Sequence, residues 1–372
     1  MTPLEQQRLA DSVVKVYAAI EDEIFHNLGT LLARNRGRLD KDDIYSWQML
    51  QMQYIGELNQ SNMIAIAKRA NMAIDEVVEI FEKVGYQAIA DTDVDLAEAV
   101  RQGRVTTPPT DRSPVMTNIL NAYADQAQSS FNLVNTTLFT KAEEGYVRII
   151  NESVGKVLTG TITPQQALRD TARQWANKGL TGFVNRAGHE MSVEGRINTI
   201  VRSMSNTVAN DMQFARMDEY GIDLIQVSEH MGARPKCAPW QNKILSRSGQ
   251  SDKYPALTDT SYGEPDGLKG CNCGHVFYSY VEGVSISRES QVDREENDHA
   301  YKQQQQQRYL EREIRKSKRE FNMMNAMSDD VGIEQAKEKV REKQANMRAF
   351  IESTGRTRRR EREQLAVNNP RV

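Results

Sequence analysis

Val13, Tyr17, Ile20, Ile24, Leu28 and Leu31 recur at three- and four-residue steps, which puts them on one face of a helix. A second amphipathic stretch runs from about Asp42 to Ala70. A third begins near Ala73 with Ile74, Val77, Val78 and Phe81. "NRGRLDKDD", residues 35–43, separates the first two, so residues 4–100 are predicted to be helical.

Thr106 to Pro114, "TTPPTDRSP", reads as a linker, because proline fixes φ and withholds a backbone donor. The next helix is expected to start with Ser113 as cap and Pro114 in its first turn, and to run towards Gly155. "TITPQQALRD" opens another, with Thr163 as cap, Pro164 behind it and Gln166 at the capping-box position. Ile197, Val201, Met204, Val208 and Ala215 line a further helix.

The pattern changes near Tyr220. "GIDLIQVSEH" and "CNCGHVFYSYV" read as strands, and the chain between them is rich in Gly, Pro, Ser and Asp. Beyond Arg288 the chain returns to charged helix, with a glutamine run at Gln303–Gln307. The predicted fold is mainly α (α+β), with long helices flanking a small β-rich module. The predicted divisions are a helical region over 1–105, a linker over 106–114, a central helical region over 115–219, the β-rich module over 220–285 and a charged helical tail over 286–372.

Composition narrows the class. Apolar residues make up 39% and charged residues 27% of the 372, so much of the chain is solvated helix. No stretch is apolar for long enough to cross a bilayer, and "MTPLEQQRLADS" lacks the basic-then-apolar order of a signal peptide. The net charge of −3 hides an asymmetry: residues 301–372 carry +7 and residues 1–300 carry −10. A basic tail suits nucleic acid or an acidic protein surface, but a helix laced with both signs has the same composition. Arg315, Lys316, Lys318, Arg319, Arg358, Arg359 and Arg360 are the residues such a tail would offer to phosphates.

All three cysteines and two of the five histidines fall within 228–278. The set is His230, Cys237, Cys271, Cys273 and His275. In an extended strand Cys271, Cys273 and His275 would point the same way. Zinc takes four N/S ligands, commonly in close pairs from separate segments, and a module with little apolar core gains folding energy from a metal. The spacing is not that of a standard finger, and buried free cysteines also behave as small hydrophobes. Deaminase and His-Glu-x-x-His signatures are absent. Arg234, Trp240, Gln241, Lys243, Tyr254 and Asn272 form no recognisable acid–base pair. With so few cysteines, a reducing compartment is expected.

"SEHMGARPKCAPWQNKI", then "YPALTD", then "YGEPDGLKGCNCGHVFYSYVEG" resembles the hallmark region of phage minor capsid proteins of the "minor capsid 2" type, relatives of Mu F-like head proteins. "INTIVRSMSNTVANDMQFARMDEYGIDLIQVS" and "YKQQQQQRYLEREIRKSKR" resemble the flanking helices, so the likeness is strong over about 160–320. Cys237 stands where the family pattern has His, which exchanges one zinc ligand type for another, and Cys271 stands where it has Trp. The resemblance, taken with the Cys/His spacing, implies a structural zinc on His230, Cys237, Cys273 and His275, with Cys271 as substitute. It implies a non-enzymatic virion protein, made in the host cytoplasm and seated in the head near the portal. Its partners would be the portal protein, other head proteins and packaged DNA, with a part in head assembly and in DNA packaging or ejection. Two other classes stay open on the residues: a metal-dependent hydrolase or a nuclease or toxin-like enzyme using the Cys/His site, and a DNA-binding internal head protein.

Overall fold

The computed structural model describes residues 3–108, 113–160, 162–184, 188, 190–287 and 291–365. Eight α-helices lie among them: α1 (Pro3–Ala33), α2 (Ile44–Gln53), α3 (Ile55–Arg101), α4 (Pro114–Leu158), α5 (Pro164–Lys178), α6 (Val193–Tyr220), α7 (Arg294–Ala326) and α8 (Asp330–Thr354). The strands are short: β1 (Thr181–Val184), β2 (Glu190–Ser192), β3 (Leu224–Val227), β4 (Ile244–Ser246) and β5 (Phe277–Ser279). β1 and β2 form an antiparallel pair, and β3 lies between β4 and β5 in an antiparallel sheet. The chain is therefore mainly α with a small β component. No described helix is long and apolar enough to cross a membrane.

The helical pattern differs from expectation in the central region, where β1 and β2 fall inside the stretch expected to be helical, and near the start of the chain. The break falls at Tyr54, between α2 and α3, and α3 then runs unbroken through Ala70–Ala73. Neither proline nor glycine occurs at 70–73 to interrupt it. α4 starts at Pro114 as expected, but Ser113 Oγ finds no partner among the described residues. Thr163 does cap α5: Gln166 N–H donates to its Oγ1 at 3.3 Å. Residues 109–112 of the expected linker lie outside the described residues.

The chain clusters into two compact units. One takes residues 1–13, 74–130 and 197–305; the other takes 14–73, 131–196 and 306–372. In the first, Met217, Ile225, Val227, Leu245, Leu257, Leu268 and Phe277 form a buried cluster against the sheet. Gln213 Nε2 donates to the Phe277 carbonyl at 2.9 Å, and the Asp95 carboxylate accepts from Ser279 N at 3.0 Å, so α6 and α3 both hold β5. The Arg216 guanidinium, 3% exposed, pairs with Asp93 at 2.7 Å.

In the second unit the apolar face of α1 is buried, including Tyr17, Ile20, Ile24 and Leu28. A Cβ on Gly29 would stand 2.6 Å from the Ala326 side chain, so α1 and α7 cross closely there. Three buried carboxylates tie this unit together. Glu21 pairs with Arg319 at 3.1 Å and accepts from Leu180 N at 2.9 Å. Glu320 is met by Arg173 at 2.8 Å and Lys339 at 2.6 Å. Asp329 caps α8 through Gly332 N and pairs with Arg169 at 2.7 Å and Arg36 at 3.0 Å. Breaking one side of a buried pair strands the other charge, at a cost of about 3–5 kcal/mol. Arg319→Met is expected to lower unfolding free energy by about that amount in chemical denaturation, whereas Arg360→Met, at an exposed position, is expected to change it by less than about 0.5 kcal/mol.

Burial pushes the Asp22 carboxyl up to about 7, with Glu21 adding to the rise and Arg319 opposing it. The folded chain thus holds this proton more tightly than the unfolded chain. Stability is full at low pH and falls as pH rises from about 4 to about 7. Asp22→Asn is expected to remove that part of the pH dependence, so the variant gains in melting temperature over the wild type at about pH 8 and not at about pH 4.

Candidate metal centre

The β3–β5 pairing continues past the strand ends. Ser228 N donates to the Val276 carbonyl, and Val276 N donates to Ser228 Oγ, both at 2.9 Å. This brings the segment ending at His230 beside the one holding His275. Cys237 ends a turn in which its N–H donates to the Arg234 carbonyl at 2.8 Å. A single 3-10 turn, Ala238–Trp240, follows, and Asn242 with φ 59 turns the chain back into β4. Asparagine tolerates that left-handed region better than most residues.

The second segment does not adopt the expected form. The strand anticipated from Cys271 begins only at Phe277, and residues 271–276 are turn and irregular chain. Lys269 (φ 58) and Asn272 (φ 57) are left-handed, which abolishes the alternation that would have aligned Cys271 with Cys273. The loop before them crosses itself closely. A Cβ on Gly270 would collide with the Glu264 carbonyl and stand 2.7 Å from that of Pro265, and one on Gly267 would collide with the Ser261 carbonyl. Cys271 N and Cys273 N donate to the Pro265 and Gly270 carbonyls at 2.8 and 2.9 Å.

The ligand atoms of Cys237, Cys273 and His275 all lie within 4.8 Å of one another, and all three residues are buried. Cys273 Sγ is 3.3 Å from His275 Nδ1, and His275 Nε2 is 3.1 Å from Gln241 Oε1. His230 stands outside this trio, but its ring lies on that of His275, with centroids 4.3 Å apart. His230 Nδ1 is 3.3 Å from the Met231 carbonyl, and its buried Nε2 has no hydrogen-bond partner among the described residues. Cys271 is half-buried and lies outside the trio. Of the expected ligands, three converge, His230 adjoins them with an unpartnered nitrogen, and Cys271 lies outside the group.

Protonation follows from the packing. The hydrogen bond to Cys273, with burial, holds the Cys237 thiol well above the ordinary thiol range. Accepting that bond carries Cys273 well below it, against burial, and His275 adds to the fall. Burial lowers His230, and neighbouring His275 lowers it further. Burial also brings Lys269 down to about 8. Its Nζ donates to Asn206 Oδ1 at 3.0 Å and to the His275 carbonyl at 3.2 Å, and it lies 4.9 Å from the centre of the Phe277 ring. One proton is therefore shared between two sulfurs beside two imidazoles, a donor set that suits a thiophilic divalent cation.

Two supports lay beyond the sequence pattern. Gln241, 7% exposed, accepts from His230 N at 2.8 Å with the same oxygen that faces His275. Asn297, 1% exposed, clamps Ala233: its Oδ1 accepts from Ala233 N at 2.8 Å and its Nδ2 donates to Ala233 O at 3.0 Å. The adjacency of Trp240 and Gln241 to Cys237 is the one local signal for the first.

The basic residues of the tail are largely engaged within their own unit. Arg315 pairs with Glu194 at 2.8 Å and donates to the Arg362 carbonyl. Lys316 pairs with Glu313 at 2.8 Å, Lys318 donates to Gln364 at 2.6 Å, Arg319 meets Glu21, and Arg358 grips Glu363 through Nε and Nη2. Arg359 is half-buried and Arg360 exposed.

A mainly helical chain carrying a small β module with a buried Cys/His cluster is the architecture reached from the residues, and comparison with known proteins gives it a family. The family model "Phage minor capsid protein 2" matches residues 1–352, and the chain belongs to that family. A "Structural protein" of Lactococcus phage LL-H is 30% identical over 370 residues, covering 95% of this chain and 98% of that protein. A "Structural protein" of Lactococcus phage mv4 is 36% identical over 115 residues, covering 31% of this chain and 94% of that protein. No solved structure matches the chain. It is thus a structural component of a phage particle.

Gly270→Ala forces the loop crossing apart and is expected to cost about 3 kcal/mol or more, read as a lower denaturation midpoint. Gly37→Ala, where nothing lies within 4 Å, is the control and is expected to cost less than about 1 kcal/mol.

Proposed function

We propose that this minor capsid protein occupies the phage head at or near the portal vertex, serves head assembly and DNA packaging or ejection, and holds a structural zinc ion in its Cys/His cluster. Membership of a minor capsid family over residues 1–352 supports the reading. A component present in few copies would suit a place where the shell does not repeat, and the portal vertex is that place in a tailed-phage head. An asymmetric reconstruction of intact heads is expected to find the protein's density at that single vertex. Density spread over all vertices would overturn the placement.

The metal reading is supported by three ligand atoms within 4.8 Å and by the vacant His230 nitrogen beside them. Cys237, Cys273 and His275 would hold the ion, with His230 completing the set. Bound zinc would supply structural cross-linking between loops that share little apolar core. The site favours a structural over a hydrolytic role: its converging residues are all buried and include no carboxylate among the described residues, whereas catalytic zinc keeps an open position and a nearby base. Elemental analysis of purified protein is expected to find one zinc per chain, retained in Cys271→Ser and absent when Cys273→Ser is combined with His275→Ala. Stoichiometric zinc in the double variant would sink the ligand assignment.

Contact with packaged DNA through the tail draws on few side chains, since most of its cations face carboxylates or carbonyls of their own unit. Duplex binding by the full chain is expected to be weak, with a shallow dependence on salt. A steep slope, reduced when Arg359 and Arg360 become Gln, would show a tail turned towards phosphate.

A further inference from the structure

We infer that Gln241 is the positioning residue of the Cys/His centre: its side-chain oxygen fixes His275 in the tautomer that presents Nδ1, not Nε2, to the sulfurs. A backbone N–H can only donate, so the side-chain atom 2.8 Å from His230 N is the amide oxygen of Gln241 and not its nitrogen. That oxygen also lies 3.1 Å from His275 Nε2. Two bare acceptors do not rest at that separation, so Nε2 carries the hydrogen, and Nδ1 is the nitrogen left for a metal once its own hydrogen is displaced. Nδ1 faces Cys273 Sγ at 3.3 Å, towards the point on which Cys237 also converges.

His230 is oriented the other way. Its Nδ1 faces the Met231 carbonyl at 3.3 Å, so that nitrogen holds the hydrogen and the buried, unpartnered Nε2 is the lone-pair atom. The two rings, with centroids 4.3 Å apart, therefore keep opposite nitrogens bare of hydrogen bonds to Gln241 and Met231. A single oxygen sets both: it anchors the main chain of His230 and the ring of His275. With Gln241 only 7% exposed, water has little access to replace it. Partners of this kind, bonded to the far nitrogen of a ligating histidine, typically govern metal affinity by about 10–100-fold.

The affinity arm of the test rests on the zinc reading; the tautomer arm does not. Full-length chain labelled with 15N-histidine is examined by long-range nitrogen–proton correlation, before and after zinc is added. His275 is expected to carry a hydrogen on Nε2 in both. Gln241→Leu is expected to lose that fixed hydrogen and to weaken zinc binding by about 10–100-fold in competition with a chelator. Gln241→Glu, which keeps the acceptor, is expected to retain both. A His275 bare at Nε2 in the wild type would overturn the inference, as would Gln241→Leu with unchanged Nε2 protonation and affinity. Should Gln241→Leu fail to fold, the wild type and Gln241→Glu still decide it. If the wild type takes up no zinc, the metal reading falls, and the tautomer measured on the metal-free chain decides this inference alone.

Discussion

The loop from Ser261 to Cys273 crosses itself with no space for a side chain at Gly267 or Gly270, and the buried cluster depends on that crossing. Because the backbone strands touch there, Cys273 is delivered to the level of Cys237 and not one strand-step away from it. The chain turns through left-handed Asn272 just before Cys273 and enters β5 at Phe277. The module has only a small apolar cluster of its own, so its loops are placed by hydrogen bonds to α3, α6 and the first turns of α7. Its geometry is set largely by such polar contacts, and loss of one of them strands a buried group.

The other unit solves a different problem. Long helices carry ample apolar surface but leave register open, since one turn of sliding changes burial little. Glu21, Glu320 and Asp329 remove that freedom, because each is satisfied only where arginines from other segments meet it. Such pairs contribute less to net stability than equivalent apolar packing, and their value lies in specifying one arrangement.

Helices, and the gathering of cysteine and histidine in one stretch, are legible in the sequence because they rest on periodicity and rarity. Thr163 and Pro164 open α5 as their residue types demand. The relation of Cys271 to Cys273 was not legible: alternation presumes a strand, and the steric demand at Gly267 and Gly270 comes from residues that only the fold brings close. Charge was legible as a sum and not as a direction. Arg315, Lys318 and Arg319 read as a basic surface, yet Lys318 and Arg319 are only 8% exposed, because the carboxylates that neutralise Arg315 and Arg319 are Glu194 and Glu21, far earlier in the chain. Gln241 was legible only by its place near Cys237, since a glutamine's role as acceptor depends on which nitrogen happens to face it.

Each compact unit gathers segments from both early and late parts of the chain: α1 packs with residues of α7, and the β module is completed by residues up to 305. Neither can close during most of synthesis. At roughly 5–20 residues per second, the apolar face of α1 waits on the order of 15–60 s for its partner to leave the ribosome. Throughout that interval part of its apolar face lacks its late partner. The polar nodes that make the finished particle component unique form last, so a demand for chaperone capacity is written into the topology of the molecule.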